Sequence, residues 1–446
     1  MIPKAESRTP WSYVPTTYFA EGLPYMIVNA LAVIIYKKMG VSNTLIAFWT
    51  SWLYLPWVIK MLWGPLIDMY STKRNWIAWT QALMAAAIIC AALSLKTPLF
   101  LYVSMACFMA VAFLSATHDI AVDGFYMLSM NESRQAFFVG IRAFCYRLAM
   151  LFSSGVLVML AGRIETSTGD IPHSWTTVLL LAAAIMGLLF VYHRVWLPYP
   201  AADKPDKAKG SQLAEFGEIF AAYFKLENVK IGLAFILTYR FGEAMLLKLA
   251  APFMLDTAEK GGLALATSDV GVIYGTIGLV SLIIGGLMGG WIISKYGLRR
   301  TIWPLAFMLN APDLVYVYMA YAKPALTYAT LNFPQFAPLG WILPASVNLP
   351  AGPIPALVAL EQFGYGLGTT AFMFYMITLT GEKYKTAHFA ISTGIMALGM
   401  MVPGFVSGWL QERAGYPEFF IIVCFATIPG MLLIPFLKIK DKTAKA

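Results

Sequence analysis

The feature that most constrains this chain is its succession of long, uninterrupted apolar runs. Twelve of them fall at approximately 13–36, 45–66, 76–95, 98–122, 137–162, 174–197, 229–254, 268–293, 302–322, 352–380, 386–410 and 417–437. A membrane-spanning helix needs roughly 20 apolar residues. In lipid, only helices and closed barrels satisfy every backbone polar group. Barrel strands are about ten residues long with strict alternation, whereas these runs are continuous, so they read as helices. Composition agrees: 59% of the 446 residues are apolar and 12% are charged. Soluble domains carry about 45–50% apolar and about 25% charged residues, and half the usual charge cannot cover a globule of this size. The expected class is an all-α integral membrane protein, which excludes a soluble enzyme, a disordered chain and a fibrous one.

The other functional classes fall away in turn. The net charge of +9 comes from cations scattered in short clusters between apolar runs, not from one basic face, so no nucleic-acid partner is expected. Cys90, Cys107, Cys145 and Cys424 lie inside apolar runs without a C-x-x-C pair, as buried small residues do. The four histidines, His118, His173, His193 and His388, lack metal-ligand spacing, and no metal is expected from them. No G-x-x-x-x-G-K-[ST] or G-x-S-x-G motif is present, which argues against an ATP-driven pump and against a serine hydrolase. Residues Met1 to Pro10 are polar, and the run after them is too long for a signal-peptide core. It reads as a retained first segment.

Lys and Arg set the orientation. With the N-terminus in the cytoplasm, inside stretches hold twenty cations and outside stretches seven, so both termini are expected to be cytoplasmic. Residues 198–228 are rich in Pro, Ala and charge. They read as a cytoplasmic linker, ending in an amphipathic turn or two, between an N-terminal half (1–197) and a C-terminal half (229–446). Residues 323–351 hold five prolines and little charge, and read as an extracytoplasmic loop with room for a short re-entrant piece.

An internal repeat supports two halves. Gly64-Pro-Leu-Ile-Asp68 followed by Lys73-Arg74 stands after the second segment. Gly290-Trp-Ile-Ile-Ser294 followed by Arg299-Arg300 stands after the eighth, 226 residues later. The first and seventh segments also echo each other, in Thr17-Tyr18…Glu21 and Thr238-Tyr239…Glu243. The Gly-x-x-x-Asp…cation-cation pattern resembles the loop signature of the major facilitator superfamily. That resemblance implies twelve transmembrane helices in two pseudo-symmetric six-helix halves. It also makes Asp68, Lys73, Arg74, Arg299 and Arg300 candidates for a cytoplasmic charge latch that gates the carrier.

Ionisable residues inside apolar segments are functional candidates by default, because burying them is costly. They are Glu21, Lys60, His118, Asp119, Asp123, Arg142, Arg147, Arg240, Glu243, Lys248, Asp313 and Glu361. Asp119 and Asp123, at i and i+4, share a helix face. They suit proton carriage, or else static pairing with Arg142 or Arg147. His118 titrates near neutrality when unperturbed. Arg240 and Glu243, at i and i+3, can pair with each other. Glu21 and Glu361 have no local cation, and Lys60 can neutralise Glu21 or a substrate carboxylate. Lys248 and Asp313, near segment ends, are expected to snorkel. The glycine-rich stretch Phe363-Gly-Tyr365-Gly-Leu-Gly368 permits close packing, with Tyr365, Phe372 and Tyr375 available to stack on a ligand ring.

The stretch Leu114-Ser-Ala-Thr-His118-Asp119-Ile-Ala-Val-Asp123-Gly-Phe125 resembles the fourth-segment signature of the AmpG muropeptide permeases. So do Lys60-Met-Leu-Trp-Gly64-Pro-Leu-Ile-Asp68 and Tyr146-Arg147-Leu-Ala-Met150. In the second half, Tyr239-Arg240-Phe-Gly-Glu243-Ala244, Gly368-Thr-Thr-Ala-Phe372, His388-Phe-Ala390 and Pro403-Gly-Phe-Val-Ser-Gly408-Trp409 agree with it. Gln is frequent in that family where His118 stands. The resemblance implies a Gram-negative inner-membrane carrier that imports anhydromuropeptides for cell-wall recycling and, in some bacteria, β-lactamase induction. The implied energy source is the proton motive force, with no cofactor, and the implied form is a monomer in the bilayer. Its alternating-access site would lie at the midplane. Asp119 is the foremost proton carrier, with Glu21, Glu361, Asp123 and His118 as rivals. Lys60, Arg147 or Arg240 would meet the anionic peptide carboxylates, and Tyr25, Asn29 and Gln362 the sugar hydroxyls. Wider relatives carry ferric siderophores or acyl-CoA, and either is the alternative cargo.

Overall fold

The computed structural model describes residues 8–205, 212–332, 346–380 and 384–439. Among these, nine helices are long and apolar enough to cross a membrane: Pro10–Lys38, Asn43–Leu62, Lys73–Ser94, Phe100–Ser129, Phe137–Thr168, Ile171–Trp196, Thr267–Tyr296, Ala387–Ala414 and Tyr416–Phe436. Three expected segments behave differently. The seventh is two helices, Val229–Thr238 and Phe241–Leu255, broken at Tyr239-Arg240. The ninth, Leu298–Asn310 and Leu314–Ala322, is broken by a 3-10 turn at Ala311–Asp313, where Pro312 withholds its amide hydrogen. The tenth, Pro353–Leu379, is continuous but carries Glu361, Gln362 and three closely spaced glycines.

Helix boundaries follow local chemistry. Ser42, Thr72, Asn131 and Asp170 cap their helices through side-chain oxygens that accept from Leu45, Asn75, Arg134 and His173 amides. Large apolar side chains such as Trp79, Leu188, Leu287 and Phe307 are exposed, as a lipid-facing surface requires. The first, fifth and eighth segments each contain a wide π turn, at Ile27–Leu31, Phe152–Leu157 and Ile273–Gly278. Such turns re-aim side chains and recur at functional sites. The last two meet across the halves: Ser154 Oγ donates to the Gly275 carbonyl at 3.3 Å. A Cβ at Gly275 would sit 1.9 Å from the Ser154 carbonyl oxygen, so only glycine permits this approach.

The linker ends in a helix, Gln212–Phe224, longer than the turn or two expected. It docks Tyr223 on the eleventh segment, with its hydroxyl 2.8 Å from Ser392 Oγ. In the 323–351 stretch, the described residues form a two-stranded ribbon rather than a re-entrant piece. Strand β1 (Thr327–Asn332) pairs antiparallel with β2 (Ser346–Ala351), Thr327 opposite Ala351. Pro350 is tolerated because both strands of a ribbon are edges. Tyr328 ties it to the eighth segment through a 2.8 Å bond to Asp269.

Candidate functional site between the halves

The contacts that close the two halves on each other gather at one end of the bundle. Lys37 Nζ lies 2.5 Å from Asp256 Oδ2, a pair almost fully buried, and 2.8 Å from Asn43 Oδ1. The Asn43 amide donates to Gln411 at 2.6 Å and to Tyr416 Oη at 3.0 Å, and Tyr416 donates to Asp256 at 2.7 Å. This lock joins the first two segments to the seventh, eleventh and twelfth. The sequence left its members as ordinary segment ends.

Below the lock is a cavity of about 160 Å³, followed by one of about 310 Å³. Both touch Tyr25, Tyr54, Leu247, Tyr365 and Met400, so they are compartments of one central space. On the side away from the lock, side-chain exposure rises from 19% at Asp119, in the wall of this space, to 51% at Asp123, one turn further on and beyond it. Exposure thus increases toward the end opposite the lock.

The larger compartment holds Lys60, Asp119, Arg240, Tyr25 and Tyr365. Lys60 stands in a 3-10 turn after the break at Leu53-Tyr54, which directs its ammonium to Asp119 Oδ2 at 2.5 Å. Glu21 faces the same Asp119 carboxyl, and its Oε2 is buried without a hydrogen-bond partner. Asp119 thus stands between a second carboxyl and an ammonium. Arg240 turns away from Glu243: it donates to the Tyr365 hydroxyl and stacks 5.0 Å above the Tyr365 ring. Its expected local pair does not form, because the break at Tyr239-Arg240 releases the side chain toward the cavity. Tyr25, Trp57 and Tyr146 make an aromatic wall, with the Tyr25 ring 5.1 Å from Trp57 and 6.3 Å from Tyr146.

Asn29, Gln362, Tyr25 and Tyr365 line the smaller compartment. Asn29 Oδ1 has no partner, and Gln362 donates to Glu361 at 3.0 Å. Lys248 also lines it. Its ammonium is buried, bonded to Thr50 Oγ1 at 3.0 Å and 4.9 Å from the Tyr54 ring centroid. The expectation that Lys248 snorkels is therefore corrected. Asp313 likewise is 1% exposed: the helix break beside it turns its carboxylate inward.

Other candidates lie outside this space. Asp123 accepts from Tyr18 at 2.8 Å and pairs with Arg142 at 3.0 Å, joining the fourth segment to the fifth. His118 is buried against Gln81 at 2.9 Å, and Gln81 in turn meets His193 at 2.9 Å. Arg147 reaches across to Gly286 in the eighth segment, whose carbonyl accepts from Thr370 of the tenth at 3.1 Å, with one guanidinium nitrogen unpartnered. Phe372 and Tyr375 belong to the C-terminal core, where Phe372 stacks on Tyr239. Among the latch candidates, Arg74 is buried and bonds the carbonyls of Arg194 and Leu197, while the Lys73 and Arg74 amides bind the Asp203 carboxylate at 2.7 and 3.0 Å. Arg299 and Arg300 are exposed. The side chain of Asp68 lies outside the described residues. Tyr54, Trp57, Tyr146, Thr393, Met396 and Met400 complete the larger wall. Sequence reasoning missed them, because aromatic and Met residues in apolar segments carry no signal of which face they occupy.

Two helical halves closed at one end over a polar, aromatic cavity define a membrane transporter rather than an enzyme. The Major Facilitator Superfamily sequence model matches residues 16–351, and the chain belongs to that superfamily. An uncharacterised Haemophilus influenzae protein is 27% identical over 431 residues, covering 94% of this chain and 92% of that one. The anhydromuropeptide permease of Escherichia coli K12 is 25% identical over 422 residues, 93% of this chain and 77% of that protein. Among solved structures, the nucleoside transporter NupG superposes with a TM-score of 0.68 at 12% identity, covering 95% of this chain and 99% of that one, a likeness of fold.

Proposed function

We propose that the chain imports anhydromuropeptides, or closely similar anionic glycopeptides, across the inner membrane by alternating access coupled to proton entry. The observation that carries this reading is the composition of the central cavity. Lys60 and Arg240 supply cations, and Tyr25, Trp57, Tyr146 and Tyr365 supply aromatic faces. Cations meet peptide carboxylates, and flat aromatic walls with a few convergent polar groups suit sugar rings. The similarity to the Escherichia coli permease supports the same cargo class.

In the orientation set by the basic residues, the Lys37–Asp256 lock faces the periplasm and the cavity opens to the cytoplasm. The lock closes behind the cargo. At the cavity, Glu21, Asp119 and Lys60 are electrically balanced when one carboxyl carries a proton. A proton delivered there frees Lys60 from Asp119 and so couples the ion to the carrier's state.

The test is uptake of radiolabelled anhydromuropeptide into proteoliposomes with and without an inward proton gradient. Gradient-driven accumulation in the native protein, abolished in Asp119→Asn, supports the reading. Absence of uptake by folded protein overturns the cargo and directs the assay to ferric siderophores and acyl-CoA. Uptake in Asp119→Asn with unchanged dependence on the gradient removes Asp119 as the carrier.

A further inference from the structure

Behind the cavity wall, in the C-terminal half, three carboxylates meet that the transport reading does not use. Glu243, Asp313 and Glu361 each offer an oxygen within 4.8 Å of the others, and each residue is 1% exposed. Neither oxygen of Glu243 nor either oxygen of Asp313 has a hydrogen-bond partner. A second observation points the same way: the Tyr316 hydroxyl is fully buried, lies beside Glu361 and makes no hydrogen bond of normal geometry. The three acids come from the three segments that depart from a plain apolar span. Glu243 begins the helix after the Tyr239-Arg240 break, and Asp313 closes the 3-10 turn that interrupts the ninth segment. Broken membrane helices free main-chain carbonyls, and carriers use such sites to coordinate ions.

We propose that Glu243, Asp313 and Glu361 form a binding site for one hard, oxygen-liganded cation of the size of sodium or calcium. Three buried carboxylates without a bonded cation need positive charge among them. Oxygens bonded to one ion at about 2.4 Å lie no more than about 4.8 Å apart, a limit the three oxygens satisfy. Magnesium, which sheds water reluctantly and demands a near-ideal octahedron at about 2.1 Å, suits a cluster this deeply buried less well. Tyr316 and one or more freed carbonyls would complete the shell. The site adjoins the cavity without opening into its polar floor: Gln362 bonds Glu361 and lines the smaller compartment. Occupancy is thereby felt at the cavity wall. This site is independent of the cargo assigned above.

The test uses the purified full chain in detergent at constant ionic strength, balanced with choline. Equilibrium binding of radioactive sodium and radioactive calcium is measured together with Tm. We expect one of the two ions to bind saturably and to raise Tm, and which one binds identifies the occupant. Glu243→Gln and Asp313→Asn should each raise that ion's Kd by at least about tenfold, the effect known even for residues one shell further out. Size-exclusion elution shows that the variants remain folded. Failure of the folded native protein to bind either ion overturns the proposal. So does binding left unchanged in both variants, or a Tm that responds to acid and not to either cation.

Discussion

In the N-terminal half, Glu21 and Asp119 share their site with Lys60, whose ammonium is 2.5 Å from Asp119. In the C-terminal half, Glu243 and Asp313 have no hydrogen-bonded partner among the described residues, although Arg240 stands only three positions before Glu243. The first group carries its own counter-charge and faces the cavity. The second has had its neighbouring cation turned away toward Tyr365. The contrast separates two ways of placing acids in a membrane: pairing them with a resident side chain, or leaving the positive charge to be supplied from outside.

The largest test of that contrast is Lys60→Met. Removing one partner of a desolvated pair leaves the other charge without compensation, at about 2.7 kcal/mol, or about a hundredfold in transport. Uptake in proteoliposomes should fall by that order and Tm should drop. The double variant Lys60→Met/Asp119→Asn should recover Tm without recovering uptake. Full activity in Lys60→Met would show that the N-terminal group does not depend on its internal cation, and the distinction between the halves would collapse.

What made these groups legible, and what hid them, follows from how each residue signals. Glu21, Lys60 and Asp119 are charges inside apolar runs, and that alone marks them. That Lys60 meets Asp119 was not legible: the spacing left Lys60 to Glu21 or a substrate carboxylate and Asp119 to Arg142 or Arg147, and only Asp123 takes the Arg142 pairing. Lys248 and Asp313 were misread because distance from a segment end is counted along an ideal helix, and the ninth segment is not ideal: its 3-10 turn at Ala311–Asp313 reverses where Asp313 points. The meeting of residues 243, 313 and 361 depends on two helix breaks and on tenth-segment packing at Gly364, where a Cβ would lie 2.0 Å from the Met308 carbonyl oxygen. No periodicity in the sequence encodes that. The apolar rhythm, by contrast, needs only the order of apolar and polar residues, which is why the helical membrane fold was readable before the site.

The next test has the opposite sign in the other half. Glu243→Gln removes one of three mutually repelling buried charges and leaves an amide that can still hydrogen-bond. In buffer without small cations it should raise stability by about 1 kcal/mol, in the direction found when buried ionic groups are neutralised. The measurement is Tm of the purified variant beside Lys60→Met under identical conditions. A fall in both would mean that Glu243 has a resident counter-charge after all, and that the two halves bury acid in the same way.

The smallest expected effect on transport comes from the residue that keeps the two groups distinct. Tyr365 holds Arg240 on the cavity side by accepting from its guanidinium and offering its ring beneath it. In Tyr365→Phe the ring remains and the hydroxyl is lost. Arg240 then loses one hydrogen bond to a charged donor, about 1.5 kcal/mol, and its side chain becomes free to swing three residues along the helix to Glu243. Two changes should follow together. KM for the anionic cargo should rise by about threefold to tenfold, because one cavity cation is held less firmly. The cation Kd at the acid cluster should rise by about threefold, because a guanidinium now competes for Glu243. Arg240→Lys separates the causes: its shorter, compact charge cannot make the stacked contact, so it should reproduce the KM effect while perturbing cation binding less. If Tyr365→Phe changes KM and leaves the cation Kd untouched, Arg240 is fixed by the break in its own helix, and the hydroxyl only fine-tunes the cavity.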